Sequence, residues 1–217
     1  MNKFISDFDW SGFALLHTSV MTSVQVEMYS SATEYLFGDI ADFGCGTAKI
    51  TPFLESKPSL RSYVGIDAST EMINCGKNIV KELENNSNFQ FIEGLIENVD
   101  LHFDSAVSLQ SYYSWPKPEF TLRHIYSTLN SNGIFVIATP NQSLDMKFLL
   151  NEAQKELLGH PLWPKFKEHN QALADHESSS FLTLDDLISQ LKSVSFKIEE
   201  AHSNFYFGGL NFIVARK

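Results

Sequence analysis

Hydrophobic residues recur in two rhythms along the 217 residues of this chain. Short apolar runs closed by Gly, Asp or Asn predict strands at 39–43, 62–66, 89–93, 105–109 and 133–139. Between them the spacing turns helical. A helix is expected at 47–55 with Pro52 in its early turns, and another at 69–85, where Met72, Ile73, Gly76, Ile79, Val80 and Leu83 form one stripe. A third is expected at 118–129, with Pro118 and Glu119 suited to a first turn and Leu122, Ile125 and Leu129 on one face. Thr183 followed by Asp186 has the form of a capping box and predicts a helix to 193, with Leu187, Ile188 and Leu191 facing inward. The runs 196–206 and 210–215 flank Gly208-Gly209 and predict an antiparallel hairpin. Strand–helix alternation followed by a hairpin predicts an α/β, doubly wound, mostly parallel seven-stranded sheet.

Two segments fall outside this alternation. Residues 1–38 are dense in apolar side chains, including Phe4, Phe8, Trp10, Phe13, Leu15, Leu16, Val20 and Met21, and 19–37 reads as a helix. Residues 141–180 form an insertion before the last helix, with a helical run through Leu158 and then Gly159-His160-Pro161-Leu162-Trp163-Pro164. The expected organisation is a helical lid segment at 1–38 and a binding domain at 39–217 carrying the insertion 141–180 as a second lid element. A chain of this length builds one substantial core.

Charge and composition narrow the partners. With 16 Lys and Arg against 26 Asp and Glu, the net charge of −10 argues against nucleic acid and against anionic membranes. The 18 Phe, 7 Tyr and 3 Trp exceed what a core alone requires and suggest a small-molecule substrate with a planar or apolar face. Cys45 and Cys75 have neither disulfide nor zinc spacing and read as free thiols. The first residues lack the basic and apolar regions of a secretory signal, and no run approaches the roughly 18 apolar residues of a membrane span. The expected setting is cytoplasmic, and a homodimer is compatible with the chain.

The chemistry is concentrated at Ile40 to Thr51, IADFGCGTAKIT, where an apolar run reaches Asp42 and breaks into Gly44-Cys45-Gly46. A ligand pressed against such a turn leaves no room for a Cβ. The next strand ends at Asp67, where a carboxylate can accept hydrogen bonds from both hydroxyls of a ribose. A dinucleotide fingerprint would place a third glycine where Lys49 stands, which disfavours NAD and FAD. With Asp42, Gly44, Gly46 and Asp67 in this pattern, the chain resembles the class I S-adenosylmethionine-dependent methyltransferases from about residue 39 onward.

The resemblance implies that S-adenosylmethionine is the cofactor, with Asp42, Gly44, Cys45, Gly46, Asp67, Ala68, Met72, Leu95, Ile96 and Gln110 around it. Asp42 should lie near its amino-acid end. In FIEGLIEN, Leu95 occupies the position where the family commonly places an aspartate on the adenine amino group, leaving the backbone of Leu95 and Ile96, with Glu97 nearby, to receive the base. Gln110-Ser111-Tyr112-Tyr113-Ser114-Trp115-Pro116 follows the fourth strand, where the family places residues between cofactor and acceptor. Phe13, Tyr29, Tyr113, Trp115 and Trp163 are the expected substrate contacts.

The implied reaction is an in-line displacement onto a nitrogen or oxygen of a small metabolite, in which alignment and desolvation do much of the work. A hydroxyl acceptor calls for a base, and His17, Tyr112 and His160 are the expected catalytic residues. His169 and His176 are seven apart among acidic neighbours, a wide spacing for one ion, and no metal is expected. Two alternatives remain on sequence grounds: a non-methyl transferase or cyclase using the same cofactor, and a non-catalytic cofactor-binding partner subunit.

Overall fold

Side chains on a strand point alternately to its two faces, and the strands of this chain are apolar on both. A computed structural model describes residues 10–84, 86–177 and 180–217. Its strands are β1 (Gly38–Phe43), β2 (Leu60–Asp67), β3 (Phe89–Glu93), β4 (Phe103–Leu109), β5 (Leu129–Pro140), β6 (Lys197–Phe205) and β7 (Leu210–Arg216). Its helices are α1 (Trp10–Ser19), α2 (Ser23–Tyr35), α3 (Thr51–Leu54), α4 (Thr70–Lys81), α5 (Pro118–Thr128), α6 (Met146–Glu156), α7 (Trp163–Glu177) and α8 (Leu184–Ser193). The strands form one sheet in the order β3-β2-β1-β4-β5-β7-β6. All pairs are parallel except those of β7, which runs antiparallel to both β5 and β6.

One face of the sheet presents Ile40, Tyr63, Val107, Val136 and Phe212 to Met28 and Ala32 of α2 and Leu36 just past its end, Leu54 of α3 and Val80 of α4. The other presents Ala41, Phe43, Ile66, Phe135 and Ile213 to Leu122 and Ile125 of α5 and Leu187 and Leu191 of α8. The doubly wound expectation holds. Thr183 caps the last helix as expected, its Oγ1 accepting from the Asp186 amide at 3.1 Å, but the Asp186 carboxylate accepts from the Thr183 hydroxyl at 2.7 Å and not from its backbone amide, so the reciprocal bond of a capping box is replaced. Parallel strands buried on both faces fit this near-continuous apolar character.

Three expectations need correction. The helix expected at 47–55 is only the single turn α3, because Gly46 and Ala48 have φ of +52° and +56° and hold the chain in a turn first. Pro52 then sits in the opening positions of α3, where proline is tolerated. The helix expected at 19–37 begins at Ser23: Thr22 caps it, with the Gln25 side chain accepting from the Thr22 amide at 3.0 Å, and α1 precedes it as a separate helix. The insertion contains a second helix, α7, where the sequence suggested only one. Phe4 and Phe8 lie outside the described residues. Among the described residues no helix is long and apolar enough to cross a membrane.

Above the carboxyl ends of β1 and β2, a separate apolar cluster joins Phe13, Leu16 and Val20 from α1 and its end to Met72 of α4, Leu150 of α6, and Trp163 and Phe166 of α7. The N-terminal segment and the insertion thus meet over the same end of the sheet.

Candidate active site

The turn after β1 is held by its own backbone. The amides of Gly44 and Cys45 donate to the Ile66 carbonyl at 2.8 and 2.9 Å, which ties the turn to β2. Gly44 has φ +73°, and a Cβ there would lie 2.4 Å from the Ser111 side chain. Gly46 has φ +52°, with His17 Cε1 3.6 Å from where a Cβ would stand. Both conformations favour glycine, and Ser111 adds a steric reason at Gly44.

Two carboxylates flank the turn. Asp67, at the end of β2, accepts from the Gly46 amide at 2.8 Å and from the Ser69 amide at 2.9 Å, one bond to each oxygen. The Ala68 amide contributes as well, and the roughly four acceptor positions of a carboxylate still leave room for a ligand donor. Burial raises the Asp67 pKa although these amides oppose the rise. Asp42 is more deeply set. Burial lifts its carboxyl to about 7, against the Tyr63 hydroxyl that donates to it at 2.7 Å and with a contribution from nearby Asp67.

Both carboxylates line a cavity of about 400 Å³, within the range of roughly 300–1,000 Å³ usual for small-molecule sites. Its floor is the turn with Ala68 and Met72, and one wall is Leu95, Ile96 and Glu97. Trp115 and Pro116 close that wall, and Leu109, Gln110 and Tyr113 reach it from the end of β4 and the turn beyond. The roof comes from Trp10, Phe13 and His17 of α1, Gln25 and Tyr29 of α2, and Asn170 and Leu173 of α7.

Two features of the wall are costly unless something uses them. Gln110 holds φ +60°, a conformation unusual outside glycine, and its side-chain amide donates to the Tyr206 hydroxyl. The indole N–H of Trp115 is buried and donates to nothing among the described residues. A buried donor left unmade costs roughly 1–3 kcal/mol, a penalty carried by a residue whose ring lines the cavity.

The basic side of the cavity is His17 with Lys49. His17 Nδ1 lies 2.9 Å from Thr47 Oγ1. Burial, and then the nearby Lys49, hold its pKa well below 6.5, so the imidazole is neutral at pH 7. Lys49 is only 2% exposed and donates to the Val20 carbonyl. Burial lowers its pKa to about 7.

A family model described as a methyltransferase domain matches residues 29–201, most of the chain. The chain belongs to the class I S-adenosylmethionine-dependent methyltransferases. A trans-aconitate 2-methyltransferase of Escherichia coli K12 is 29% identical to it over 150 residues, covering 65% of this chain and 55% of that protein. The chain spans about half the length of the curated relatives it matches. An S-adenosylmethionine-dependent methyltransferase of Aquifex aeolicus superposes with a TM-score of 0.67 at 13% identity, over 97% of this chain and 99% of that one. A mycolic acid cyclopropane synthase, solved with S-adenosylhomocysteine, superposes with a TM-score of 0.64 at 14% identity, over 89% and 84% of the two chains. Both are likenesses of fold.

The cavity of this member of the methyltransferase family gathers fifteen of the residues singled out in the sequence: Asp42, Gly44, Cys45, Gly46, Asp67, Ala68, Met72, Leu95, Ile96, Gln110, His17, Phe13, Tyr29, Tyr113 and Trp115. Three others lie elsewhere. The short turn Tyr112–Ser114 sends successive side chains to opposite sides, and the Tyr112 hydroxyl donates to Gln190 on α8, within the core on the far face of the sheet. His160 sits in the link between α6 and α7, where Nδ1 accepts from the Leu162 amide at 3.3 Å. Trp163 packs on Phe166, with ring centroids 6.0 Å apart, inside the cap. His169 stacks on Phe13 at 5.6 Å and 10°, a packing role, while the side chain of His176 lies outside the described residues.

Lys49, Gln25 and Asn170 line the cavity and were not anticipated as site residues. The one available signal for Lys49 was a lone charge inside the apolar and small-residue run 43–54. The site suits the family's cofactor: a Cβ at Gly46 would extend toward the cavity-lining His17 and Met72, and the Asp67 carboxylate has spare acceptor capacity.

Proposed function

We propose that this protein transfers a methyl group from S-adenosylmethionine to a nitrogen or oxygen of a small metabolite bound beside it in the roofed cavity. The observation that carries this reading is Asp67: its carboxylate is pinned by the Gly46 amide, so glycine turn and ribose-directed acceptor form one rigid unit on the cavity wall. Asp67 would take the ribose hydroxyls, the turn would lie against the cofactor, and Leu95, Ile96 and Trp115 would receive the base. When bound, the cofactor supplies a methyl group on a cationic sulfur, which a nucleophile takes in line as S-adenosylhomocysteine leaves.

The chain's own contribution is enclosure, alignment and proton handling. Trp10, Phe13, Leu173 and Tyr113 exclude water above the turn, which supports α1 and α7 as a lid and a small acceptor with an apolar face over a polymer. His17, neutral and in the cavity, is the proposed base for an acceptor that loses a proton. The trans-aconitate methylated by the Escherichia coli relative is one carboxylate acceptor to include in a screen, and a carboxylate needs no base. The unpaired thiols of Cys45 and Cys75 suit a reducing, cytoplasmic compartment.

Calorimetric titration of S-adenosylmethionine, S-adenosylhomocysteine and NAD tests the reading. Micromolar binding of the first two, weakened at least tenfold in Asp67→Ala, is expected. A folded protein that binds neither would overturn it, and turnover giving methylthioadenosine would move the protein to the non-methyl transferases.

A further inference from the structure

The turn that cradles the cofactor continues into Thr47-Ala48-Lys49, and Lys49 sends its side chain away from water, under the link between α1 and α2. Its ammonium nitrogen donates to the Val20 carbonyl. Among the described residues no carboxylate pairs with it, although the same cavity is lined by Asp42, Asp67, Glu71 and Glu97. An amine carries three donors, and one is used. A lysine this buried without a counter-charge is strongly disfavoured unless it is neutral or an anion arrives.

The residues beside it are suited to an oxyanion. His17, whose ring reaches over Gly46, is close enough to Lys49 to feel its charge, and Gln25, on the first turn of α2, lines the same cavity with its oxygen held by Thr22, which leaves its amide N–H groups as donors. The acidic groups belong to the floor and the opposite wall, on β1, β2, α4 and the loop after β3. A doubly charged phosphate would face four carboxylates. A single carboxylate needs only what this corner has.

We propose that Lys49 is the carboxylate-binding point of the cavity, taking either the amino-acid end of the cofactor or an acid group of the acceptor, with His17 beside it. This deepens the methyl-transfer reading and rests on it. Lys49 is a binding and positioning residue: a carboxylate on its ammonium fixes one end of the bound molecule. Ala48 in the left-handed region turns the chain so that Lys49 points inward.

The test compares S-adenosylhomocysteine with methylthioadenosine, a nucleoside thioether that lacks the amino-acid end, by calorimetry on wild-type protein, Lys49→Met and Lys49→Arg. Trans-aconitate is then titrated into each protein saturated with S-adenosylhomocysteine. If the cofactor supplies the carboxylate, wild-type protein prefers S-adenosylhomocysteine at least tenfold and Lys49→Met loses that preference. If the acceptor supplies it, the preference is unchanged, and trans-aconitate binds wild-type protein and loses at least tenfold in Lys49→Met. Lys49→Arg, which keeps the charge, should retain part of whichever binding is lost. Methylthioadenosine binding that is unchanged in Lys49→Met, together with an unchanged preference and no loss of trans-aconitate, overturns the proposal and leaves the cofactor reading standing. Failure of both nucleosides to bind wild-type protein overturns both.

Discussion

Replacing Lys49 by methionine should make the protein more stable, by an amount that depends on pH in a defined direction. In the unfolded chain a lysine holds its proton to about 10.5, whereas burial in the native state lowers this to about 7. The unfolded state therefore binds more protons between these values, and wild-type stability rises with pH across that window. Below pH 7 the penalty is present in full, and above 10.5 it has gone. At 1.36 kcal/mol per pH unit, the penalty relieved by Lys49→Met is about 4 kcal/mol at pH 7 and about 2 kcal/mol at pH 9. Against this, the Val20 carbonyl loses its donor, which costs about 1 kcal/mol. The net gain is about 3 kcal/mol at pH 7, and it changes sign near pH 10. For a domain of this size that is roughly 6–12 °C in melting temperature at neutral pH. Urea denaturation of both proteins at half-unit steps from pH 6 to 10.5 measures the gap. A gap that stays flat with pH, or a variant less stable at pH 7, would show that the wild-type amine remains hydrated and charged in the folded protein.

Further substitutions probe the turn, the wall and the caps. Gly44→Ala forces a Cβ to 2.4 Å from Ser111 at φ +73° and should cost about 2–5 kcal/mol by denaturation; adding Ser111→Gly should return the steric part, and no recovery would mean that the backbone alone sets the cost. Trp115→Phe removes a buried N–H that has no partner among the described residues and shrinks a ring on the cavity wall; the relieved donor and the lost volume oppose each other, so stability should change by under about 1 kcal/mol while S-adenosylhomocysteine affinity falls roughly tenfold. Equal affinity in the two proteins would remove the indole from the cofactor site. Thr183→Ala deletes the cap of α8 and should cost about 1 kcal/mol, with cofactor binding unchanged in calorimetry.

Local periodicity carried most of the fold. The strands β1 to β5 and helices α4, α5 and α8 each satisfy one dominant requirement, an apolar face against the sheet, and their ends are marked by Ser69, Pro118 and Thr183. Helix α7 was unreadable for the opposite reason. Its apolar positions Trp163 and Phe166 join the cluster over the sheet end, Leu173 packs instead with Tyr113 and Phe181 at the cavity roof, and Asn170 between them faces the cavity and interrupts the stripe. The site was legible wherever geometry demanded a residue type: Gly44 and Gly46 for backbone conformation, Asp67 for its place at a strand end. Ala48 at φ +56° announces nothing in sequence, so the length of the turn was missed. Tyr112 and Tyr113 are adjacent and alike, and only the turn decides which one faces the cavity. Lys49 was visible as a missing glycine, because a charge that goes inward has no sequence period.

The placement of β7 has a consequence for how the sheet is made. It is the last of the seven strands in chain order, yet it lies between β5 and β6, pairing with β5 from Ile134–Arg216 to Pro140–Leu210. As the polypeptide is synthesised, β5 is finished long before its neighbour exists, and β6 emerges with no place on the sheet. Until Leu210–Arg216 arrives, β5 presents a free ladder of backbone groups beside apolar Phe135 and Ile137, an edge on which another nascent chain can add. The surroundings of the ribosome, more than the finished molecule, are where this protein is most exposed to aggregation.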